Sequence, residues 1–173
     1  MSITTKTGDD GSTDLWSGER VRKDDTRIEV CGEIDELSSI LGFACYAAGL
    51  PETIEALRSL QRDLVRAGGE IASIEPAFTD PIQSWDEEAL TAKIAALELR
   101  IPLRGFVLPG RTEGSARIDL ARTAARRLER RVVALAREAP VSDILRRYLN
   151  RLSDYLYMLA RSEESAEGKI EYS

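Results

Sequence analysis

Pro51-Glu52-Thr53-Ile54-Glu55-Ala56-Leu57-Arg58-Ser59-Leu60-Gln61-Arg62-Asp63-Leu64-Val65 decides the fold class. Ile54, Leu57, Leu60, Leu64 and Val65 recur at the helical period of about 3.6 residues, so one face is apolar and the other charged. Gly49 and Pro51 stand before the stripe and give it a clear beginning, while closing the helix that precedes it. Outward from this segment the pattern repeats. A first helix is expected over 27–48, ending before Gly49. The second runs from Pro51 towards Ile74. A third, capped by Ser84 or Asp86, carries Leu90, Ile94, Leu97 and Leu99 to Ile101. A fourth is expected over 114–138 and a fifth over 141–165. Long helices with short links predict an all-α protein, a five-helix bundle forming one domain. Residues 1–26 read as an irregular N-terminal arm, 27–165 as the helical bundle, and 166–173 as a frayed, flexible tail.

Composition narrows the chemistry. The chain has 173 residues, 43% of them hydrophobic and 6% aromatic, enough to bury a substantial core. Its net charge of -6 and pI near 4.9 argue against nucleic acid as the main partner, since duplex binding needs a basic surface. There is no histidine, which removes Glu-x-x-His di-iron sites, histidine-based nucleophilic triads and most zinc sites. Cys31 and Cys45 fall on one helix about 21 Å apart, too far to bond, so reduced thiols in a reducing compartment are expected. The Met1 end lacks the basic start and apolar run of a signal peptide. The longest apolar stretch, Ile40 to Leu50, is too short to span a bilayer. A cytoplasmic protein without a membrane partner is the expectation.

Three polar stretches carry the candidate chemistry. Thr5-Lys6-Thr7-Gly8-Asp9-Asp10-Gly11-Ser12-Thr13 gathers hydroxyls, a lysine, two glycines and two aspartates ahead of any helix. Such a loop can wrap a phosphate chain, with glycine letting backbone N–H groups approach anionic oxygens. It is not a Walker A loop, because the order Gly-x-x-x-x-Gly-Lys-Ser/Thr is absent and no strand precedes it. Taken alone, it also reads as an ordinary turn. Arg122-Thr123-Ala124-Ala125-Arg126-Arg127-Leu128-Glu129-Arg130-Arg131 places five arginines and one glutamate in ten residues of an acidic chain. On a helix Arg122, Arg126 and Arg130 form one stripe with Glu129 beside it, suited to an anion, or simply a solvated face crossed by ion pairs. Asn150-Arg151-Leu152-Ser153-Asp154 sets Asn150 and Asp154 as i, i+4 neighbours among leucines.

Together these stretches resemble the PduO-type ATP:cob(I)alamin adenosyltransferases, from about residue 3 to about residue 162. The further matching motifs are Gly18-Glu19-Arg20, Lys23-Asp24-Asp25, Gly32-Glu33-Ile34-Asp35-Glu36-Leu37-Ser38 and Phe106-Val107-Leu108-Pro109-Gly110. Their order and spacing follow the family. The resemblance implies transfer of the 5'-deoxyadenosyl group of ATP to cob(I)alamin, with the reduced cobalt as nucleophile and no general base. It implies that Thr5, Lys6, Thr7, Gly8, Asp9, Thr13, Lys23, Arg126, Arg127, Glu129, Arg130 and Asn150 bind ATP, with Mg²⁺ bridging phosphates rather than held by protein ligands. Arg126, Arg130 and Phe106 are the implied catalytic residues. Phe106 and Arg111 are implied on the corrinoid side, the phenylalanine displacing the lower axial ligand, although by residues alone Phe106 also reads as a core plug. A homotrimer with sites between subunits is implied, with Asp35 and Arg122 pairing across the interface. A cobalt reductase and an adenosylcobalamin-dependent acceptor enzyme are the implied partners. Two positions depart from the family: Arg111 stands where it usually has glycine, and Asp119 where histidine is common. The alternative function is a non-catalytic trimeric sensor or delivery protein that binds ATP or adenosylcobalamin. The full set of Lys6, Lys23, Arg126, Glu129, Arg130 and Asn150 favours catalysis over it.

Overall fold

A computed structural model describes residues 4–173, so the first three residues of the expected arm lie outside the described residues. The elements in chain order are β1 (Ser12–Asp14), β2 (Arg20–Arg22), α1 (Thr26–Cys45), α2 (Pro51–Ile71), α3 (Ser84–Arg100), α4 (Glu113–Leu135) and α5 (Asp143–Ala166). Helix α1 packs against α2 and α4, α5 packs against α4 and α3, and α2 touches α5 more lightly. The all-α bundle expected from the apolar periodicity is therefore the fold, with α3 laid on α5 rather than on its chain neighbour α2. Leu37, Leu41, Leu57, Leu60, Leu64, Ile118, Leu128, Leu152 and Leu156 fill one continuous core. Among the described residues no helix is long and apolar enough to cross a membrane.

Local chemistry sets the helix starts. Asp25 caps α1 by accepting from Arg27 N at 2.8 Å, and Ser142 caps α5 by accepting from Ile144 N and Leu145 N. Thr112 and Ser115 cap α4 reciprocally. Helix α3 starts differently from expectation. Gln83 is its N-cap, Ser84 is already helical, and the Asp86 carboxylate reaches back to Gln83 N at 2.8 Å. The apolar stripes also need correction. Val65 is exposed because the core side of α2 is completed by Ala56, Ala67 and Ile71, and Leu99 is exposed because it cannot share a face with Leu97 two positions away.

The N-terminal arm is not wholly irregular. Strands β1 and β2 pair antiparallel, with Ser12 opposite Arg22, Thr13 opposite Val21 and Asp14 opposite Arg20, and Gly18 supplies a φ of 97° in the connection. This hairpin docks on the end of α2. Trp16 N donates to Ala72 O at 2.9 Å, Ile74 N donates to Ser17 Oγ at 2.9 Å, and Arg27 donates to Ile71 O at 2.6 Å. These bonds stop α2 at Ile71, three residues short of the expected end, by taking the groups that another helical turn would use.

The C-terminal residues are not frayed either. Gly168, at φ 65°, reverses the chain after α5, and Lys169 N donates to Glu164 O at 2.8 Å. The chain then runs antiparallel to the linker between α3 and α4, where Val107 and Tyr172 form a bridge. Backbone hydrogen bonds supplied by that linker hold the segment in place, information absent from the tail's own composition. Cys31 and Cys45 both lie on α1 as free thiols, and burial pushes both above the ordinary thiol range.

Candidate active site

The N-terminal loop closes around a hollow of about 580 Å³ lined by Thr5, Lys6, Thr7, Gly8, Asp9, Thr13, Arg20 and Lys23 among others. Every residue of the loop expected at the nucleotide is in this one place. Lys6 adopts φ 60°, a left-handed conformation that costs a non-glycine residue energy. Gly8 allows close approach: a Cβ there would stand 3.0 Å from Lys23 Nζ. The Thr5 and Thr7 hydroxyls lie 2.9 Å apart. Asp10 shapes the loop, accepting from Ser12 N at 2.9 Å and from the Ser12 hydroxyl at 2.6 Å. The Ser12 hydroxyl, the Ser12 N–H and Arg20 hold its carboxyl below the ordinary range. Arg20 fastens the loop, donating to the Thr7 carbonyl and reaching Asp14 at 3.1 Å and Asp10 at 3.3 Å. Its role was hidden in the sequence because its partners are 6, 10 and 13 residues away.

A second hollow, about 780 Å³, lies between α3, α4 and α5. Ile94, Ile101, Leu103, Tyr157 and Met158 give it an apolar wall, and Arg122, Arg126, Arg151 and Asp154 a polar one. A third, about 410 Å³, is lined by Glu129, Asn150, Arg146, Arg147 and Arg151. Here Asn150 Nδ2 donates to Glu129 Oε1 at 2.9 Å, joining the two helical motifs. Arg151 lines both hollows. Its guanidinium bonds the Asn150 side chain and lies 3.0 Å from Asp154. Arg130, exposed, donates to the Arg126 carbonyl at 3.0 Å. Of the α4 stripe, Arg122 and Arg126 line the larger hollow, Glu129 beside the stripe lines the smaller one, and Arg130 lines neither.

Arg127 departs from this arrangement. It faces α1, donating to Glu33 at 2.7 Å and to Glu36, and these hydrogen bonds raise its pKa above the ordinary arginine value. Its charge is already neutralised by α1, unlike that of Arg126. Asp35 lines a separate hollow with Trp16, Cys31, Val65 and Phe78, while Arg122 donates Nε to Asp119 Oδ1 at 2.9 Å. The loop hollow shares no lining residue with the two hollows on α4 and α5.

Phe106 is 88% exposed on the linker that also sends Ile101, Pro102 and Leu103 into the second hollow, so it is not a core plug. Arg111 points its Nε to Glu171 at 3.0 Å. Tyr157 was not singled out in the sequence. Its ring lies 5.9 Å from the Arg122 guanidinium carbon and 4.9 Å from that of Arg161. The fully buried Arg161 was also missed. It donates to Asp119 and, at 3.0 Å, to Glu164, and both carboxylates are buried. Burial disfavours its charge, but Asp119 and Glu164 outweigh that and raise its pKa.

The cobalamin adenosyltransferase family model matches residues 3–163. The chain is 43% identical to the corrinoid adenosyltransferase PduO of Citrobacter freundii over 95% of its own length and 50% of that protein. It therefore spans about half the length of this relative. It is 37% identical to the corrinoid adenosyltransferase of Bacillus subtilis, covering 99% of this chain and 92% of the other. A solved structure of a variant PduO-type ATP:corrinoid adenosyltransferase from Lactobacillus reuteri, complexed with cobalamin and ATP, superposes with a TM-score of 0.89 at 28% identity, covering 98% of this chain and 97% of that one. With the family model spanning nearly the whole bundle and its N-terminal loop, the chain belongs to the cobalamin adenosyltransferase family.

Proposed function

We propose that the chain transfers the 5'-deoxyadenosyl group of ATP to a Co(I) corrinoid. The observation that carries this is the adjacency on α4 and α5. A polar, arginine-rich hollow adjoins a larger half-apolar one, with Arg151 on the boundary. The first suits a nucleotide and the second a flat apolar macrocycle rimmed by amides. The Co(I) electron pair attacks C5' of the ribose, the new cobalt–carbon bond forms as the C5'–O5' bond breaks, and triphosphate leaves with that bond's electrons. No proton moves at the reacting carbon, which fits a chain without histidine.

The protein's part is positioning and charge. Arg126, on the wall of the larger hollow, and Arg130, exposed one turn further along α4, stabilise the leaving triphosphate, Glu129 orients Asn150, and the threonine and lysine loop grips the phosphates. Arg127, paired to α1, steadies the helix that presents them. Among the described residues no three His, Cys, Asp or Glu side chains converge to hold a metal. The hydroxyls and lysines of the loop instead fit an ion carried on phosphate oxygens, so Mg²⁺ enters with ATP. The loop hollow lies apart from the α4–α5 hollows within one chain, and a homotrimer that lays the loop of one subunit on α4 of the next completes the site. Asp35 and Arg122 then pair across that contact. Phe106, exposed on the linker whose first residues line the apolar hollow, presses on the corrin's lower face. A reductant that supplies Co(I) and an enzyme that consumes adenosylcobalamin complete the reading in a reducing cytoplasm.

An anaerobic assay with ATP, Mg²⁺ and chemically reduced cobalamin tests it. Loss of the Co(I) spectrum with matched appearance of adenosylcobalamin and triphosphate is expected. An unchanged spectrum with the folded chain present overturns the proposal.

A further inference from the structure

Phe106 has almost no burial to hold it, yet its backbone is tied on both sides. Leu108 N donates to Glu171 O at 2.8 Å, and Ser173 N donates to Phe106 O at 2.9 Å. Between these bonds Val107 and Tyr172 form an antiparallel bridge. A ring 88% exposed gains little from packing, so the backbone pairing sets where it stands. A side-chain contact adds to that pairing: Arg111 Nε lies 3.0 Å from Glu171 Oε2, with side chains 37% and 55% exposed. The turn beneath is anchored separately, because Arg111 N donates to the buried Glu164 at 3.2 Å. Loss of the Arg111 guanidinium therefore loosens the tail, which keeps its backbone bonds, without freeing the turn.

We infer that Arg111 and Glu171 are positioning residues, whose ion pair helps fasten the C-terminal strand to residues 106–108 and thereby steadies Phe106 on the linker whose first residues line the apolar hollow. This rests on the adenosyltransferase reading for its effect on cobalt, but the clasp itself does not. Arg111 is bulky and charged in a turn that has no need of either property for its own geometry, and its partner lies 60 residues on in the chain. A ring that must meet one face of a flat ligand benefits from being held before the ligand arrives. The exposed pair is individually weak, so the clasp is adjustable rather than rigid.

A charge swap in the full chain tests the inference. Glu171→Arg and Arg111→Glu each place like charges together, and the double variant Arg111→Glu/Glu171→Arg restores an opposite pair. Without any ligand, amide exchange at Leu108 should quicken about two- to five-fold in each single variant and return towards wild type in the double, the range expected for an exposed pair. With ATP and Co(II) cobalamin, the four-coordinate Co(II) signal in electron paramagnetic resonance should fall in the single variants and recover in the double. The rate from Co(II) should drop more than the rate from supplied Co(I), with ATP affinity unchanged. Wild-type exchange at Leu108 in both single variants, or a double variant as defective as either single, overturns the clasp. If wild type forms no adenosylcobalamin, the functional reading fails and the exchange data still decide the clasp.

Discussion

In the N-terminal loop Arg20 reaches Asp10, Asp14 and the Thr7 carbonyl with all of its carboxylate partners open to water. At the end of α5, Arg161 reaches Asp119 and Glu164 with none of the three side chains more than 7% exposed. The residue types are the same and the consequences opposite. An exposed pair can trade its partner for a ligand at little cost, because water screens both states. A buried pair cannot, since removing one member strands an uncompensated charge in the core. The loop is built to exchange contacts and the α5 cluster to keep them.

The comparison can be broken most directly at Arg161. Arg161→Ala should lower unfolding stability by about 3–5 kcal/mol, leaving Asp119 and Glu164 buried without their cation. Chemical denaturation reads this, and a loss under about 1 kcal/mol would place the cluster in the same class as surface pairs. Next in size is the effect on turnover of Arg126→Ala or Arg130→Ala, expected at about 100- to 1,000-fold with the fold intact, as for removal of a group that stabilises transition-state charge. Steady-state kinetics of either folded variant matching wild type would move that arginine out of the site.

A smaller effect tests an intermediate case, the half-buried cluster where Arg66 joins Asp63, Asp80 and Asp86. Burial opposes ionisation of Asp86, but hydrogen bonds from Arg66 and Gln83 N outweigh it and hold its carboxyl below the ordinary value of 3.8. The unfolded chain then takes up this proton before the folded chain does. Its contribution is full above the ordinary value and is lost as pH falls through the lowered native one. Asp86→Asn should cost about 1–2 kcal/mol at neutral pH and flatten the acid limb of a stability-versus-pH curve. An acid limb unaltered by the substitution would remove Asp86 from that role. Smallest of all should be the stability change in Asp10→Asn, where a loosened loop is expected to weaken nucleotide binding while the melting temperature stays put. A fall in melting temperature without loss of affinity would mean that the loop is structural after all.

Much of the fold was legible because helical periodicity records which face is buried. Leu57, Leu60 and Leu64 sit in the core as the stripe predicts. The seven loop residues that the family resemblance implies at the nucleotide likewise line one hollow. Periodicity fails where burial is settled by a distant segment. Val65 matches the stripe yet faces a surface hollow with Trp16 and Phe78, and the tail looked frayed because its strand partner lies more than 60 residues earlier. Arg127 and Arg161 were harder still. Arg127 stands in a charged run that also reads as solvated and Arg161 in no motif at all, and their partners Glu33 and Asp119 lie 94 and 42 residues away. Charge in a sequence shows that a partner is needed and not where it stands.

Asp119 gives one carboxylate oxygen to Arg122 and the other to Arg161. If Arg122 turns outward to the aspartate of a neighbouring subunit, the new contact is a substitution and not an addition: one carboxylate replaces another around the same guanidinium. Association then draws its orientation from this pair and its strength from elsewhere. The oxygen left behind remains part of a carboxylate that holds Arg161, which holds Glu164, which accepts the amide of Arg111 beside the phenylalanine linker. Such docking would be registered in the interior of the subunit it touches, through Arg122, Asp119, Arg161 and Glu164, which already share one set of charges.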